Sequence, residues 1–167
     1  MGRKNYLIDG VSCAGKTTVC TELQRRGYHA IHGDRELAYS GDLQTGKPVD
    51  ASSAEPGAWI WDVAKVRALV ADHMHQISFF CGGSRNSARF VELFDAVFVL
   101  EVDLATLNQR LAARPADEWG GTAEAGAAFA RFQHATKDGF APNAIQIDAT
   151  APLASVVDTI LAQINHD

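Results

Sequence analysis

Gly10-Val11-Ser12-Cys13-Ala14-Gly15-Lys16-Thr17 decides the fold of this chain. Every fixed position of a GxxxxGK[ST] pattern is filled. An apolar run, Tyr6-Leu7-Ile8, reads as a strand ahead of it, and an amphipathic helix is predicted from Lys16 to about Arg26, with Gly27 as its stop. Strand, glycine-containing turn and helix in that order make a phosphate-binding loop. Glycines let the backbone close on phosphate oxygens with no Cβ in the way. The amides of Ala14 to Thr18 then converge on a β-phosphate at the positive end of a helix dipole. Lys16 bridges the β- and γ-phosphates, and the Thr17 hydroxyl is the expected Mg²⁺ ligand. The expected nucleotide contacts are therefore Gly10, Ser12, Cys13, Ala14, Gly15, Lys16, Thr17 and Thr18.

Working outward, short β-type runs alternate with longer helical stretches, the pattern of an α/β fold with a mostly parallel sheet. His29–His32 and Ile77–Cys81 read as the second and third strands. Ala96–Val102 is the clearest strand of the chain, and 144–147 is a fifth. Helical spacing places Val63, Val66, Val70 and Met74 on one face. A short helix is expected from Gly83 to about Phe94. Asp103 is placed to cap a helix carrying Leu104, Leu107 and Leu111. Another helix is expected to end near Thr136, and a last one carries Leu153, Val156, Val157, Ile160, Leu161 and Ile164 on its inner face. From Gly33 to Gly57 the chain is rich in Gly, Ser, Pro and Asp and reads as loop or frayed helix. So long a connection in a compact domain is often functional.

Length and composition fit this reading. The chain has 167 residues, 47% hydrophobic and 21% charged, as expected for one globular domain spanning 1–167. Its net charge of −5 and the lack of a basic stripe argue against nucleic acid as a partner. No apolar run approaches a membrane span, and the N-terminus leads almost directly into a strand, so neither a membrane partner nor a signal peptide is expected. Cys13, Cys20 and Cys81 have neither disulfide-framework nor zinc spacing, and free thiols suit the cytoplasm. His73 and His75 are out of i, i+4 register for a metal.

From Lys4 to Ile164 the chain resembles the small P-loop kinases related to adenylate, shikimate and gluconate kinases. The resemblance implies a three-layer α/β/α architecture, a five-stranded parallel sheet of order 2-3-1-4-5, and ATP with Mg²⁺ as cofactors. It also implies roles for four further features. Asp34, in His32-Gly33-Asp34-Arg35, stands at the end of strand 2, where hydroxyl-phosphorylating relatives carry a base or orienter. A helix cap is the plainer reading of that aspartate. Phe79-Phe80-Cys81-Gly82-Gly83-Ser84-Arg85 resembles the strand-3 end of adenylate kinases, so Arg85 matches an arginine that contacts the acceptor's phosphate, or is a surface residue. Cys81 stands where those kinases usually have aspartate, which leaves Asp34 or water to complete the metal's shell. Arg110 and Arg114, at i and i+4, match arginines over the adenine and on the transferring phosphates, at a short lid of about 114–121. The turn 145–150 matches one that lines the nucleobase with backbone.

Acceptor contacts are expected in the region 34–61, with Arg35 a second phosphate contact and Trp59 a surface for a ring; packing in the core is the alternative for Trp59 and Trp61. Three activities stay open. The first is transfer to a hydroxyl of a small acceptor: a nucleoside, sugar acid, shikimate-like compound or antibiotic. The second is transfer to a nucleoside monophosphate. The third is an NTP-hydrolysing or nucleotide-binding switch, although Thr136-Lys137-Asp138-Gly139 misplaces the aspartate of a guanine motif. A nucleotide-binding regulator without turnover would be a degenerate form of the same domain.

Overall fold

A computed structural model of the chain describes residues 3–10, 14–50, 52–53, 57–113, 141 and 143–165. Five parallel strands form the main sheet: β1 (Lys4–Gly10), β2 (His29–His32), β5 (Ile77–Cys81), β6 (Ala96–Glu101) and β7 (Ile145–Asp148). Their spatial order is β2-β5-β1-β6-β7. Counted within this sheet alone, that is the 2-3-1-4-5 order implied by the sequence. Strands buried on both faces need apolar side chains on both, and β1 obeys: Tyr6 and Ile8 face one core, Leu7 the other.

The first core lies under α1 (Lys16–Arg25) and α5 (Leu153–Ile164), where Cys20, Leu23, Val156, Val157 and Ile160 meet Ile8, Phe79 and Phe98. The second lies under α3 (Val63–Ala71) and the 3₁₀ turns Ser87–Arg89 and Val91–Leu93, with Trp61, Val66, Phe80, Phe90 and Phe94 as its bulk. A helical layer on each side of the sheet completes the three-layer fold. The helix α4 (Leu104–Ala112) begins at an Asp103 cap, whose Oδ1 accepts from Thr106 N at 2.6 Å. Leu107 is buried there; the side chains of Leu104 and Leu111 lie outside the described residues, as does the expected helix ending near Thr136.

Three expectations need correction. The segment from Gly33 is not simply loop: it forms the short helix α2 (Gly33–Glu36), then β3 (Ala38–Gly41), which pairs antiparallel with β4 (Ala58–Trp61) in a separate hairpin. Local hydrogen bonds close the connection, with Asp42 Oδ1 accepting from Gln44 N and Thr45 N at 2.9 and 2.6 Å. Such Asx turns account for the Asp-rich composition of the described part of the connection. Met74 does not share the face of α3. The helix ends at Ala71 because Asp72 takes an extended conformation and its side chain accepts from Met74 N at 3.1 Å, which leaves Met74 81% exposed. The expected helix before Phe94 is a pair of single 3₁₀ turns.

Trp61 ties the hairpin to the sheet. It is fully buried and lies parallel to Phe90 at 5.5 Å between ring centroids. A methyl group on Gly33 would come within 2.1 Å of its ring, so only glycine allows this approach. The buried Asn86 fixes the strand from outside: its Oδ1 accepts from Trp61 N at 3.0 Å and its Nδ2 donates to Trp61 O at 2.9 Å. A buried amide that satisfies both backbone groups of one residue sets the position of β4 and of the segment after β5 together.

Candidate active site

At the carboxyl ends of the strands lies a cleft of about 530 Å³ lined by Ala14 to Val19, Asp34, Arg110, Ala149, Ala151, Leu153 and Val156. This is where open α/β sheets bind ligands. Gly15 precedes α1 at φ 102°, a left-handed conformation that glycine adopts without strain, and no side chain caps the helix. Its amino-terminal N–H groups are thus left for an anion. Lys16 Nζ donates to Gly10 O, at the end of β1. Of the residues expected at the nucleotide, Ala14, Gly15, Lys16, Thr17 and Thr18 line the cleft, Gly10 does not, and Ser12 and Cys13 lie outside the described residues.

Arg110 closes the other wall. Its Nη1 donates to Ala14 O at 3.1 Å and its Nη2 to Ala149 O at 2.8 Å. One guanidinium thereby bridges the phosphate-binding loop and the turn after β7, and it needs a planar fork to do so. From the turn after β7, Ala149 and Ala151 line the cleft beside Leu153 and Val156, an apolar wall. Arg114 and the lid 114–121 lie outside the described residues.

Asp34 enters from the end of β2. It does not cap α2; His32 holds the N-cap position, and Glu36 reaches back to accept from His32 N at 2.8 Å. Instead, Asp34 Oδ1 accepts from Trp61 Nε1 at 3.3 Å and from Gly83 N at 3.2 Å. Two neutral donors from the hairpin and the segment after β5 hold this carboxylate at the cleft. Arg85 and Arg35 are exposed and are not among the cleft-lining residues. Arg85 contributes through its backbone, whose N–H donates to Trp59 O at 3.1 Å. Trp59 and Trp61, two apart on β4, divide: Trp61 is core and Trp59 is 50% exposed.

Cys81 faces away from the site. Its thiol lies in the core beneath α1 beside Cys20, and burial together with that neighbouring thiol raises its pKa well above the usual value. A soft, neutral thiol there is no substitute for a carboxylate. A buried carboxylate that sequence reading passed over is Asp9, the last side chain of β1. A charge ending an apolar, doubly buried strand was the available signal. Asp9 is 9% exposed, and its Oδ1 accepts from Gly10 N at 2.7 Å. Burial raises its carboxyl pKa from 3.8 to about 6, against the opposing pull of Lys16 and the Gly10 N–H; Asp34 adds a smaller push upward.

This shift sets the sign of a stability effect. Between pH 4 and 6 the folded protein keeps a proton that the unfolded chain has lost, so stability falls as pH rises through that window. The shift from 3.8 to about 6 corresponds to about 3 kcal/mol lost by pH 7. Asp9→Asn should therefore raise the unfolding free energy at pH 7 by about 1–3 kcal/mol in urea titrations, and the gain should vanish near pH 4. Equal stability of the two proteins at pH 7 would contradict a buried, strained carboxylate.

The strand order and the cleft at the start of α1 define a P-loop nucleotide-binding fold. A family model described as an AAA domain (AAA_18) matches residues 7–125, and the chain belongs to that family. Its structure is similar to a gluconokinase from Sinorhizobium meliloti 1021, with TM-score 0.61 and 19% identity over 99% of this chain and 94% of that one. It is also similar to shikimate kinase from Aquifex aeolicus (TM-score 0.62, 15% identity, 96% of each chain). A third similar structure is deoxyadenosine kinase from M. mycoides, with TM-score 0.55 and 15% identity over 98% of this chain and all of that one. No curated protein matches by sequence. Among the described residues, no helix is long and apolar enough to cross a membrane.

Proposed function

We propose that this protein is a single-domain kinase that transfers the γ-phosphate of Mg·ATP to a hydroxyl of a small acceptor. One observation carries the choice of a hydroxyl: Asp34, and neither Arg85 nor Arg35, lines the cleft with Lys16. A phosphate acceptor needs cations and no base, whereas a hydroxyl nucleophile benefits from a carboxylate. The three similar structures named above include kinases of a sugar acid, shikimate and a nucleoside, which supports the same acceptor class.

In this reading the amides at the start of α1 hold the β-phosphate, and Lys16 Nζ leaves Gly10 O to bridge the β- and γ-phosphates. Arg110 steadies the nucleotide between the loop and the turn after β7. Asp34, with Oδ1 fixed by Trp61 and Gly83, takes the acceptor's proton on Oδ2 as the acceptor oxygen bonds to the γ-phosphorus and the bond to ADP breaks. The divalent cation offsets charge on the phosphates when bound. The chain offers it hard oxygens, Thr17 at the cleft and Asp34 as a further candidate. Trp59, half exposed on the hairpin, does not line the cleft and is left out of the acceptor site. Buried free thiols at Cys20 and Cys81 suit the cytoplasm.

The test is ATP consumption with Mg²⁺ across nucleosides, nucleoside monophosphates, shikimate, sugar acids and hydroxyl-bearing antibiotics. Strong stimulation by a hydroxyl compound is expected. Stimulation by a monophosphate alone would move Arg85 to the centre, and hydrolysis indifferent to every acceptor would favour a switch.

A further inference from the structure

Phosphate binding uses Gly10 and the amides beyond it, and gives no role to the residue before them. Asp9 follows Ile8, which pairs with Cys81, so Asp9 is level with the Gly82-Gly83 segment. Side chains alternate along a strand, and Asp9 therefore leaves the sheet on the side of Leu7, Phe80 and Trp61, opposite the thiol of Cys81. A carbon built on Gly83 would lie 3.1 Å from Asp9 Oδ1 and 3.6 Å from Lys16 Nζ. The same Gly83 donates its N–H to Asp34 Oδ1 at 3.2 Å. Asp9, Asp34 and Lys16 thus meet around one residue without a Cβ, and two of the three, Lys16 and Asp34, line the cleft together with Thr17.

A carboxylate buried in this way costs stability unless something pairs with it. Its Oδ1 is occupied by Gly10 N, and the Lys16 ammonium already donates to Gly10 O. Hard oxygens this close to a phosphate-binding lysine suit the hydration shell of a divalent cation, because Mg²⁺ dehydrates reluctantly and keeps several waters.

We propose that Asp9 is a positioning residue for phosphoryl transfer, holding together with Asp34 the waters of the divalent cation that accompanies the nucleotide. The assignment rests on the kinase reading above and adds to it a residue outside the GxxxxGK[ST] pattern. Asp9 would bond to neither nucleotide nor acceptor; its part would be to hold water on a cation for which Thr17 and Asp34 supply hard oxygens at the cleft.

The experiment measures binding in the absence of acceptor. Mn²⁺ affinity in the ADP complex is read from the electron paramagnetic resonance of free Mn²⁺, for the unsubstituted protein and for Asp9→Asn. ADP affinity in EDTA is measured alongside by calorimetry. Asn keeps an oxygen for Gly10 N, so the loop is retained. Mn²⁺ affinity should fall about 10-fold or more, with ADP affinity in EDTA undiminished. Unchanged Mn²⁺ affinity overturns the proposal. So does an equal loss of ADP affinity with and without cation, which would mean that Asp9 only shapes the loop or aims Lys16. Should Asp9→Asn fail to fold, Asp9→Ser carries the same expectations. An unsubstituted protein that binds no ADP overturns the kinase reading itself, whereas normal binding with an indifferent variant overturns the role of Asp9 alone.

Discussion

Lys16→Ala will lower kcat/KM for ATP consumption by at least about 10³-fold, the scale set by loss of a cation that stabilises charge on transferring phosphate. Lys16 is the residue of the loop whose side chain spans the cleft floor, its Nζ donating to Gly10 O. Alanine retains the helix and the amides, so nucleotide should still bind weakly while turnover is lost. Lys16→Arg should not restore the rate, because a planar fork cannot occupy the place of a compact ammonium between two phosphates. Stability at pH 7 should fall modestly as well, since the Lys16 ammonium offsets the buried charge of Asp9. Undiminished turnover in Lys16→Ala would sink the assignment of the loop.

The second large effect belongs to Asp34→Asn, expected to lower kcat by about 10²-fold or more, the usual worth of a positioned acid–base group. The substitution is clean because asparagine keeps an oxygen for Trp61 Nε1 and Gly83 N, the two donors that hold Asp34 Oδ1 at 3.3 and 3.2 Å. What it removes is the capacity to accept a proton. A fall in kcat and kcat/KM together would mark a group acting in the transition state, and a change confined to KM would mark one that only holds the acceptor. Full activity toward a monophosphate in this variant would shift the reading to a phosphate acceptor.

Different physical reasons lie behind what the sequence made legible and what it did not. The phosphate-binding loop was legible because its chemistry is local: glycine conformation, helix polarity and a lysine all act within eight residues of chain. Strands β1, β5 and β6 were legible because burial on both faces demands continuous apolar runs. The hairpin of β3 and β4 was not. Its strands are four residues each, pair across a Gly-, Asp- and Pro-rich connection, and carry no long alternation to betray them. The end of α3 was also misread, because one Asx turn at Asp72 outweighed a helical repeat that ran on to Met74.

By itself the sequence determined an α/β nucleotide-binding domain and pointed to the lysine, threonine and helix end that line its cleft. It also singled out Asp34 and Arg110 as residues worth following. Tertiary structure alone decided which of the remaining polar groups face the cleft. It turned Cys81 toward Cys20 in the core, left Arg85 exposed, and brought Asp9 and Asp34 to either side of Gly83. The reason is geometric. Alternation along a strand assigns each side chain to one of two faces, but strand pairing and the docking of Trp61 over Gly33 determine which elements meet on that face. Contacts between residues as distant in sequence as Asp34 and Gly83 exist only once the sheet has formed.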